Sequence, residues 1–549
     1  MKNKMRREMR TFALTMTGLG SIIGSGWLFG SWKAASVAGP AAVYSWVIGM
    51  VLILLIGLTF AELGALFPET GGMVRYGQFS HGSLVGFITG WANWIAIVSV
   101  IPVEAVASAQ YLSSWNFDWA HGLYNGTELT ASGLCVAGLL VFVYFLLNYF
   151  TIQLFARVNS TITVFKFIVP TLAIVGILLA GFHGQNFFEA QHGGFMPNGW
   201  SGVLTAVATS GIVFAFNGFQ SPINLAGEAK NPGRSIPIAV ISSILIAGLI
   251  YVLLQVTFIG GVTPDMLAHG WSHLNLSSPF ADLAMALGLN WLVLMLFADA
   301  FVSPSGTGIT YTATTARMIY GMERNGYFPH VFGRVNQAFG IPRAAMWFNL
   351  GVSYLFLFLF RGWGSLASVI SVATLISYLT GPICVMVFRR FGQDLHHPLR
   401  IKGMRIIAPL AFVAASMIYY WATWPLTGKV TLIILVGLPI YFYYQAKSQF
   451  KGFAKDFKAG IWLVTYLAFM VIMSWLGSSK FGGLDVIPFG YDFLVIAVFS
   501  FIFYIWGVRS GWPTEQLKKR DDIMGGEGRQ EKVNFNKEGN RVKEKKASS

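Results

Sequence analysis

Long apolar stretches recur along almost the whole chain, and short polar segments separate them. Each stretch can cross about 30 Å of hydrocarbon, for which a helix needs roughly 20 residues. Inside a bilayer the backbone must satisfy its own hydrogen bonds, and these unbroken stretches lack the alternation of barrel strands. We therefore predict an all-α polytopic membrane protein with roughly 12 to 14 transmembrane helices. The candidate spans are residues 12–36, 41–66, 84–113, 132–150, 158–180, 202–226, 236–260, 279–315, 344–360, 366–388, 406–424, 430–445, 460–476 and 491–508.

Composition and charge agree with this class. Hydrophobic residues make up 55% of the chain and charged residues only 11%, whereas a soluble domain has roughly a quarter charged residues. With the amino terminus inside, 33 of the 38 Lys and Arg residues fall on the inner face, as the positive-inside rule requires. We therefore expect a multi-pass protein of the cell membrane with both termini cytoplasmic. The net charge of +15 then needs no nucleic-acid partner, and no nucleic-acid-binding module is visible.

Two of the predicted helices are interrupted at about mid-membrane depth. The first contains four glycines and Ser25 within residues 18–26, and the sixth contains Asn217, Gly218 and Pro222 within residues 209–222. Glycines also allow close helix packing, but two interruptions five spans apart point to a transporter with inverted repeats. Free amide groups near residues 24–26 suit a carboxylate, and free carbonyls near Phe214 and Ala215 suit an ammonium. A ligand with both groups is an amino acid.

Three motifs carry a resemblance to a known family. They are GLGSIIGSGWLFG at residues 18–30, AELGALFPETGG at residues 61–72 and FAFNGFQSPINLAGEAKNPGRSIP at residues 214–237. Together they resemble amino acid permeases of the amino acid, polyamine and organocation superfamily, most closely bacterial permeases of the aspartate/proton symporter type. The resemblance implies a five-plus-five inverted-repeat core, with alternating access around a central site and additional peripheral helices.

These patterns divide the chain into four parts. We expect a cytoplasmic head at residues 1–11, a ten-helix transport core at residues 12–390 and peripheral transmembrane helices at residues 391–508. The tail at residues 509–549 mixes Asp, Glu, Gly and Lys with few apolar residues. Such a composition is typical of a disordered segment, here a basic cytoplasmic tail.

The resemblance also implies a substrate site at the two interruptions. The residues that would hold the substrate carboxylate, through backbone amides and the Ser25 hydroxyl, are Ile23, Gly24, Ser25 and Gly26. The residues that would hold the amine are Phe214, Ala215 and Asn217, and those that would close the site as a gate are Phe216 or Phe219. Many relatives have a small or aromatic residue where this chain has Asn217. The Asn217 side chain is therefore a candidate for direct substrate contact.

Ionisable residues inside the predicted spans are costly to bury and usually mark a functional pathway. We take Lys166, Glu104 and Asp299 as candidates for proton coupling. Lys166 resembles the lysine that, in proton-coupled relatives, takes the place of a sodium ion against the first helix; alternatively, it snorkels to the inner surface. Glu104 and Asp299 can face the central cavity or form structural hydrogen bonds between helices. Glu62 and Glu228, near the inner ends of their spans, have the positions of structural or inner-gate residues.

The expected function is import of an amino acid by proton symport. The resemblance favours aspartate or glutamate, whereas the residues themselves are equally compatible with a neutral substrate. The expected partners are the amino acid and membrane lipid, with no cofactor and with the proton as coupling ion. Amino acid exchange without net proton flow and a non-transporting sensor remain the alternatives. The chain contains no His-Glu-x-x-His or Gly-x-Ser-x-Gly motif, so we do not expect an enzyme.

Overall fold

The computed structural model describes residues 9–68, 72–150, 152–335, 342–391, 397–515 and 517–518, with the backbone alone at residues 72, 150 and 152–161. Throughout this part of the chain the regular elements are helices, with two isolated β-bridges and no strand. The predicted all-α polytopic class is confirmed. Most of the predicted head, residues 1–8, and most of the predicted tail, residues 519–549, lie outside the described residues.

The first five crossings come from the amino-terminal third of the chain. Their helices and short connecting helices are α1 (Thr11–Ile22), α2 (Gly26–Ala38), α3 (Ala42–Leu66), α4 (Gly72–His81), α5 (Ser83–Val98), α6 (Val100–Leu112), α7 (Asp118–His121), α8 (Ala131–Phe150) and α9 (Ile152–Ala180). The helices α1 and α2 form the interrupted first crossing, and α5 and α6 together form the third.

The next five crossings contain the second interruption. Their helices and connecting helices are α10 (Gly199–Thr209), α11 (Ile212–Ala215), α12 (Ser221–Asn224), α13 (Pro232–Gly261), α14 (Pro264–Leu267), α15 (Pro279–Ala286), α16 (Asn290–Arg324), α17 (Arg343–Leu359), α18 (Trp363–Tyr378) and α19 (Thr380–Phe391). The helices α10 to α12 form the interrupted sixth crossing. It lies five crossings after the first, as a five-plus-five arrangement requires.

Four more crossings follow in the described part of the chain. They are built from α20 (Met404–Trp421), α21 (Leu426–Leu435) with α22 (Leu438–Lys447), α23 (Phe453–Leu476) and α24 (Tyr491–Ser510). Eleven helical stretches of the described residues are long and apolar enough to cross a membrane. The two interrupted crossings and the 17-residue helix α17 bring the arrangement to the fourteen candidate spans.

The predicted eighth span, residues 279–315, begins too early. The structure divides it into α15, which ends at Ala286, and α16, which begins at Asn290. Between them Gly288 has a φ of 72°, a left-handed conformation that commonly ends a helix. The apolar pattern continues across this turn, so hydropathy alone did not reveal it.

Two other crossings contain a local break that has a proline as its cause. The third crossing divides at Ser99, and the tenth divides at Leu379. In each case a proline, Pro102 or Pro382, follows three residues later. Proline has no amide hydrogen for the carbonyl four residues before it, so the helical ladder is interrupted at these points.

Close packing around α3 and α13 depends on glycine. The helix α13 packs against both α3 and α1. A Cβ atom at Gly57 of α3 would lie 2.8 Å from Ile244 Cδ1, and one at Gly18 of α1 would overlap Ser243. Some glycines of the first crossing therefore serve helix packing, which was one of the two explanations left open by the sequence. Other glycines lie at the break itself.

A buried ion pair ties the inner ends of α3 and α19 together. Glu62 is 1% exposed and accepts from Arg389 Nε at 2.6 Å and from Arg389 Nη2 at 2.7 Å. The Ile401 backbone completes the pair, because its N–H donates to Glu62 at 2.9 Å and its carbonyl accepts from Arg389 at 2.9 Å. Glu62 thus has a structural role at the inner end. Glu228, the other acidic residue predicted near an inner end, contacts a neighbouring segment through its backbone. Its carbonyl accepts a hydrogen bond from the Met9 N–H at 3.0 Å.

Replacing Arg389 by alanine tests this tie. The Arg389→Ala change removes both guanidinium hydrogen bonds from the buried Glu62 carboxylate and leaves it the bond from the Ile401 N–H. We expect it to lower the stability of the detergent-solubilised protein by about 3 kcal/mol, measured by thermal unfolding. The matched control is Arg390→Ala, since Arg390 is the next residue and is exposed. Equal unfolding temperatures for the two variants would contradict a structural role of the pair.

Candidate functional site

The first crossing is broken where the sequence predicts it. The helix α1 ends at Ile22, Ile23 is extended with φ −80° and ψ 95°, and α2 begins at Gly26. The break exposes amide groups at the start of α2 and carbonyls at the end of α1. Both the amide and the side-chain hydroxyl of Ser25 have partners at this break. Its amide donates to Glu104 Oε2 at 2.9 Å, and its hydroxyl accepts from Trp363 Nε1 at 2.9 Å.

The break in the sixth crossing lies directly against the first. Gly218 has a φ of 126°, and a Cβ atom there would lie 2.6 Å from the carbonyl carbon of Ser21. Likewise, a Cβ atom at Gly26 would lie 2.8 Å from Ala215 Cβ. Glycine is needed at both points because two backbones approach closely. The two interruptions therefore form one site.

A tyrosine of α13 joins the two breaks. The Tyr251 hydroxyl lies 3.1 Å from the Ile22 carbonyl and 3.1 Å from the Ala215 carbonyl. Both carbonyls belong to broken helices, where the helix itself does not satisfy them. Sequence analysis missed Tyr251, because one tyrosine in a long apolar span carries no distinctive signal.

A small cavity lies between the breaks. Its empty volume, which includes space open to solvent, is about 200 Å³. The residues that line it are Ser21, Ile22, Gly24, Gly26, Val100, Glu104, Phe214, Asn217, Thr307 and Tyr311. The predicted residues among them are Gly24, Gly26, Glu104, Phe214 and Asn217. The neighbouring Ile23, Ser25 and Ala215 belong to the breaks without lining the cavity.

The two predicted gate residues, Phe216 and Phe219, are not among the residues that line the cavity. Phe216 packs against Trp46 and Tyr251, and Phe219 packs against Tyr378, so neither lines the cavity.

Phe214 is the phenylalanine of this break that lies at the cavity. It lines the cavity and packs against Trp363, with ring centroids 5.8 Å apart. The short turn of α11 explains the difference, because residues three apart, Phe214 and Asn217, share a helical face whereas Phe216 does not. Trp363 lies far along the chain, and no local pattern indicated it.

Lys166 lies beside the break rather than at the inner surface. It is 1% exposed, and its Nζ donates to the Gly20 carbonyl and to Thr307 Oγ1, both at 2.7 Å. Gly20 is in the last turn of α1, where the helix dipole favours a positive charge. The side chain therefore does not snorkel. It links α9 to α1 and α16.

Glu104 of α6 is fully buried in the same site. One carboxylate oxygen accepts from Ser25, and the other, Oε1, has no hydrogen-bond partner among the described residues. A Cβ atom at Gly24 would lie 2.7 Å from Oε1 and 3.0 Å from Thr307 Oγ1. Glu104 also interacts electrostatically with Lys166. An acid and an amine thus stand on two sides of one backbone break.

Asp299 lies outside the cavity but on a related face of α16. Asp299, Ser303, Thr307 and Tyr311 follow each other at four-residue spacing, so they share one side of the helix. The Asp299 carboxylate is fully buried and accepts from Ser303 Oγ at 2.6 Å. It interacts electrostatically with Lys166. The structure therefore brings the three predicted ionisable residues into one region and places only Glu104 at the cavity wall.

Replacing Tyr251 by phenylalanine tests the bridge between the breaks. The Tyr251→Phe change removes one hydroxyl and leaves the Ile22 and Ala215 carbonyls without it. We expect a loss of about 1–3 kcal/mol in stability, measured as a lower unfolding temperature in detergent. The control is Tyr504→Phe on α24, remote from both breaks. A smaller loss at Tyr251 than at Tyr504 would show that the bridge is not needed.

The chain matches the family model described as amino acid permease over residues 9–433. The glutamate/serine transporter AimA of Bacillus subtilis (strain 168) is 64% identical over 524 residues, which cover 95% of this chain and 97% of that protein. The aspartate-proton symporter of the same strain is 38% identical, over 93% of this chain and 98% of its own length. The branched-chain amino acid permease BcaP of that strain is 26% identical over 82% of this chain and 95% of its own length. The resemblance inferred from the motifs is confirmed: the chain belongs to the amino acid permease family and is an amino acid transporter, not an enzyme.

Proposed function

We propose that this transporter imports an acidic amino acid, glutamate or aspartate, by proton symport with alternating access. The observation that carries the proposal is the position of Lys166, whose ammonium bonds to Gly20 of α1 and Thr307 of α16. The names of two relatives, a glutamate/serine transporter and an aspartate-proton symporter, support both the substrate class and the coupling ion.

Lys166 provides a way to couple a proton to helix movement. As an ammonium it holds the last turn of α1 through a charge–dipole contact. When it releases its proton, that contact loses its charge, and α1 becomes free to move relative to α9 and α16. A proton on Lys166 then has the same structural effect as a bound cation at this place. Two conformations that differ in this contact are what alternating access requires.

Glu104 provides a link between the proton and the substrate. Amides at the start of α2 suit the substrate carboxylate, but the Ser25 amide already donates to Glu104. The substrate must therefore displace a carboxylate of equal charge. Protonation of Glu104 weakens its hold on the amide and removes the repulsion. The second oxygen of Glu104 lies at the cavity, where it can accept from the substrate ammonium.

The same proposal covers the organisation and location of the chain. Both breaks, the cavity, Lys166 and Trp363 lie within residues 12–390, which supports that segment as the transport core. The helices α20 to α24 contribute no cavity-lining residue, which supports a peripheral role for residues 391–508. The distribution of Lys and Arg supports a cell-membrane location with both termini in the cytoplasm.

Uptake into proteoliposomes tests the coupling. Labelled aspartate, glutamate, alanine and arginine are supplied outside, with or without an inward proton gradient. We expect the wild-type protein to accumulate glutamate or aspartate only with the gradient, and Lys166→Ala to lose this accumulation because the protonatable contact is gone. The control Lys429→Ala changes an exposed lysine outside the cavity.

Three results would contradict this proposal. Uptake that needs internal amino acid and no gradient would make the protein an exchanger. Saturable binding without uptake would make it a sensor. Accumulation by Lys166→Ala equal to that by Lys429→Ala would show that another group carries the proton.

Replacing Glu104 by glutamine tests the role of Glu104 in proton coupling separately from the role of Lys166. The Glu104→Gln side chain still accepts from the Ser25 amide but stays neutral at every pH. We expect counterflow of internal for external substrate to persist, while gradient-driven accumulation and its pH dependence are lost. Glu128→Gln, in an exposed loop, is the control. A pH profile of Glu104→Gln that matches the wild-type profile would exclude Glu104 from coupling.

A further inference from the structure

Two hydrogen-bond donors at the cavity have no partner among the described residues. They are the Asn217 Nδ2 amide nitrogen and the Tyr311 hydroxyl. Each side chain is 4% exposed and lines the cavity. A buried polar group without a partner is costly and rare in folded proteins. The pair therefore points to a ligand that brings hydrogen-bond acceptors to this place.

The orientation of the Asn217 amide follows from its neighbours. The Gly218 amide can only donate, and it donates to Gln220 Oε1 at 3.1 Å. The other end of the Gln220 amide is then its nitrogen, which donates to Asn217 Oδ1 at 2.5 Å. Tyr378 adds a donor to Gln220 Oε1 at 3.1 Å. Since one backbone amide fixes the whole chain of bonds, Asn217 must keep its nitrogen free.

Tyr311 lines the same cavity from α16. It lies one helical turn beyond Thr307, on the side of α16 that also carries Asp299. Tyr378 contacts the Asn217 oxygen at 3.4 Å, and Ser21, at the end of α1, lies against Gly218 next to Asn217. Ser21, Asn217 and Tyr311 therefore reach one cavity from three different crossings.

The wall of the same cavity also contains Gly24 and Gly26, beside the start of α2, whose free amides suit the α-carboxylate of a substrate. That carboxylate therefore has donors of its own. The two free donors on Asn217 and Tyr311 are left for another acceptor of the substrate, which is a side-chain oxygen.

We infer that Asn217 Nδ2 and Tyr311 Oη select the substrate side chain by donating hydrogen bonds to a side-chain oxygen. This inference rests on the proposed transport of an amino acid at this site, and it names the feature that the substrate must carry. A carboxylate or a hydroxyl supplies the acceptor. An aliphatic side chain of alanine or valine leaves both donors buried without a partner, and an ammonium supplies no acceptor. Sites built to bond a polar group reject analogues that lack it.

Competition against labelled glutamate tests the inference. In wild-type proteoliposomes, aspartate and serine should compete strongly with glutamate, and alanine and lysine weakly. Asn217→Leu and Tyr311→Phe keep the volume of each side chain and remove its donor. We expect each change to raise the half-saturating concentration of glutamate roughly tenfold or more and to narrow the preference for glutamate over alanine. Tyr354→Phe on α17, whose hydroxyl bonds to Gly138, is the control.

A second measurement covers variants that bind but do not transport. The rise in unfolding temperature on addition of glutamate, serine or alanine is recorded for the purified wild-type protein and both variants. Selective loss of the glutamate and serine shifts supports the inference. An unchanged preference for glutamate over alanine, or an equal loss for all three amino acids, overturns it. No uptake and no ligand-induced shift in the wild-type protein overturns the proposed function, and the inference with it.

Discussion

The structure depends on the requirement that backbone polar groups inside a membrane find hydrogen-bond partners. Two helices are broken at the same depth, and each break frees amides and carbonyls that no lipid can satisfy. The fold meets this requirement by placing the breaks against each other, with glycine at Gly26 and Gly218 where the chains approach. The Tyr251 hydroxyl then lies within hydrogen-bond distance of one carbonyl from each break. The central site is thus a consequence of how the broken helices are satisfied.

Two ionisable side chains also satisfy polar groups at the break of the first crossing. Lys166 is an ammonium at the carbonyl end of α1, and Glu104 is a carboxylate at the amide end of α2. Each has the sign that the local helix dipole favours, so neither needs a direct ion pair with the other. Both can also gain or lose a proton, which changes how firmly the break is held. The groups that stabilise the broken helices are therefore the same groups that suit proton-coupled transport.

Not every polar group at the breaks is satisfied by the chain. The Ile22 and Ala215 carbonyls have Tyr251, whereas Asn217 Nδ2, Tyr311 Oη and Glu104 Oε1 have no partner among the described residues. The satisfied groups set the shape of the cavity, and the unsatisfied ones define what a ligand must supply. Two donors and one acceptor at one cavity match the polarity of a small amino acid.

The sequence by itself determined the class, the two interruptions and the candidate spans apart from the start of the eighth, because hydropathy and glycine act locally along the chain. It also singled out Asn217, Glu104 and Lys166, since polar residues stand out in apolar spans. Only the tertiary structure decided which side chains meet at the breaks. Tyr251, Thr307, Tyr311 and Trp363 come from three other crossings, and in an apolar span they look like ordinary packing residues. Phe214 rather than Phe216 faces the cavity because of the short turn of α11, and hydropathy does not show where a turn inside a broken helix begins and ends.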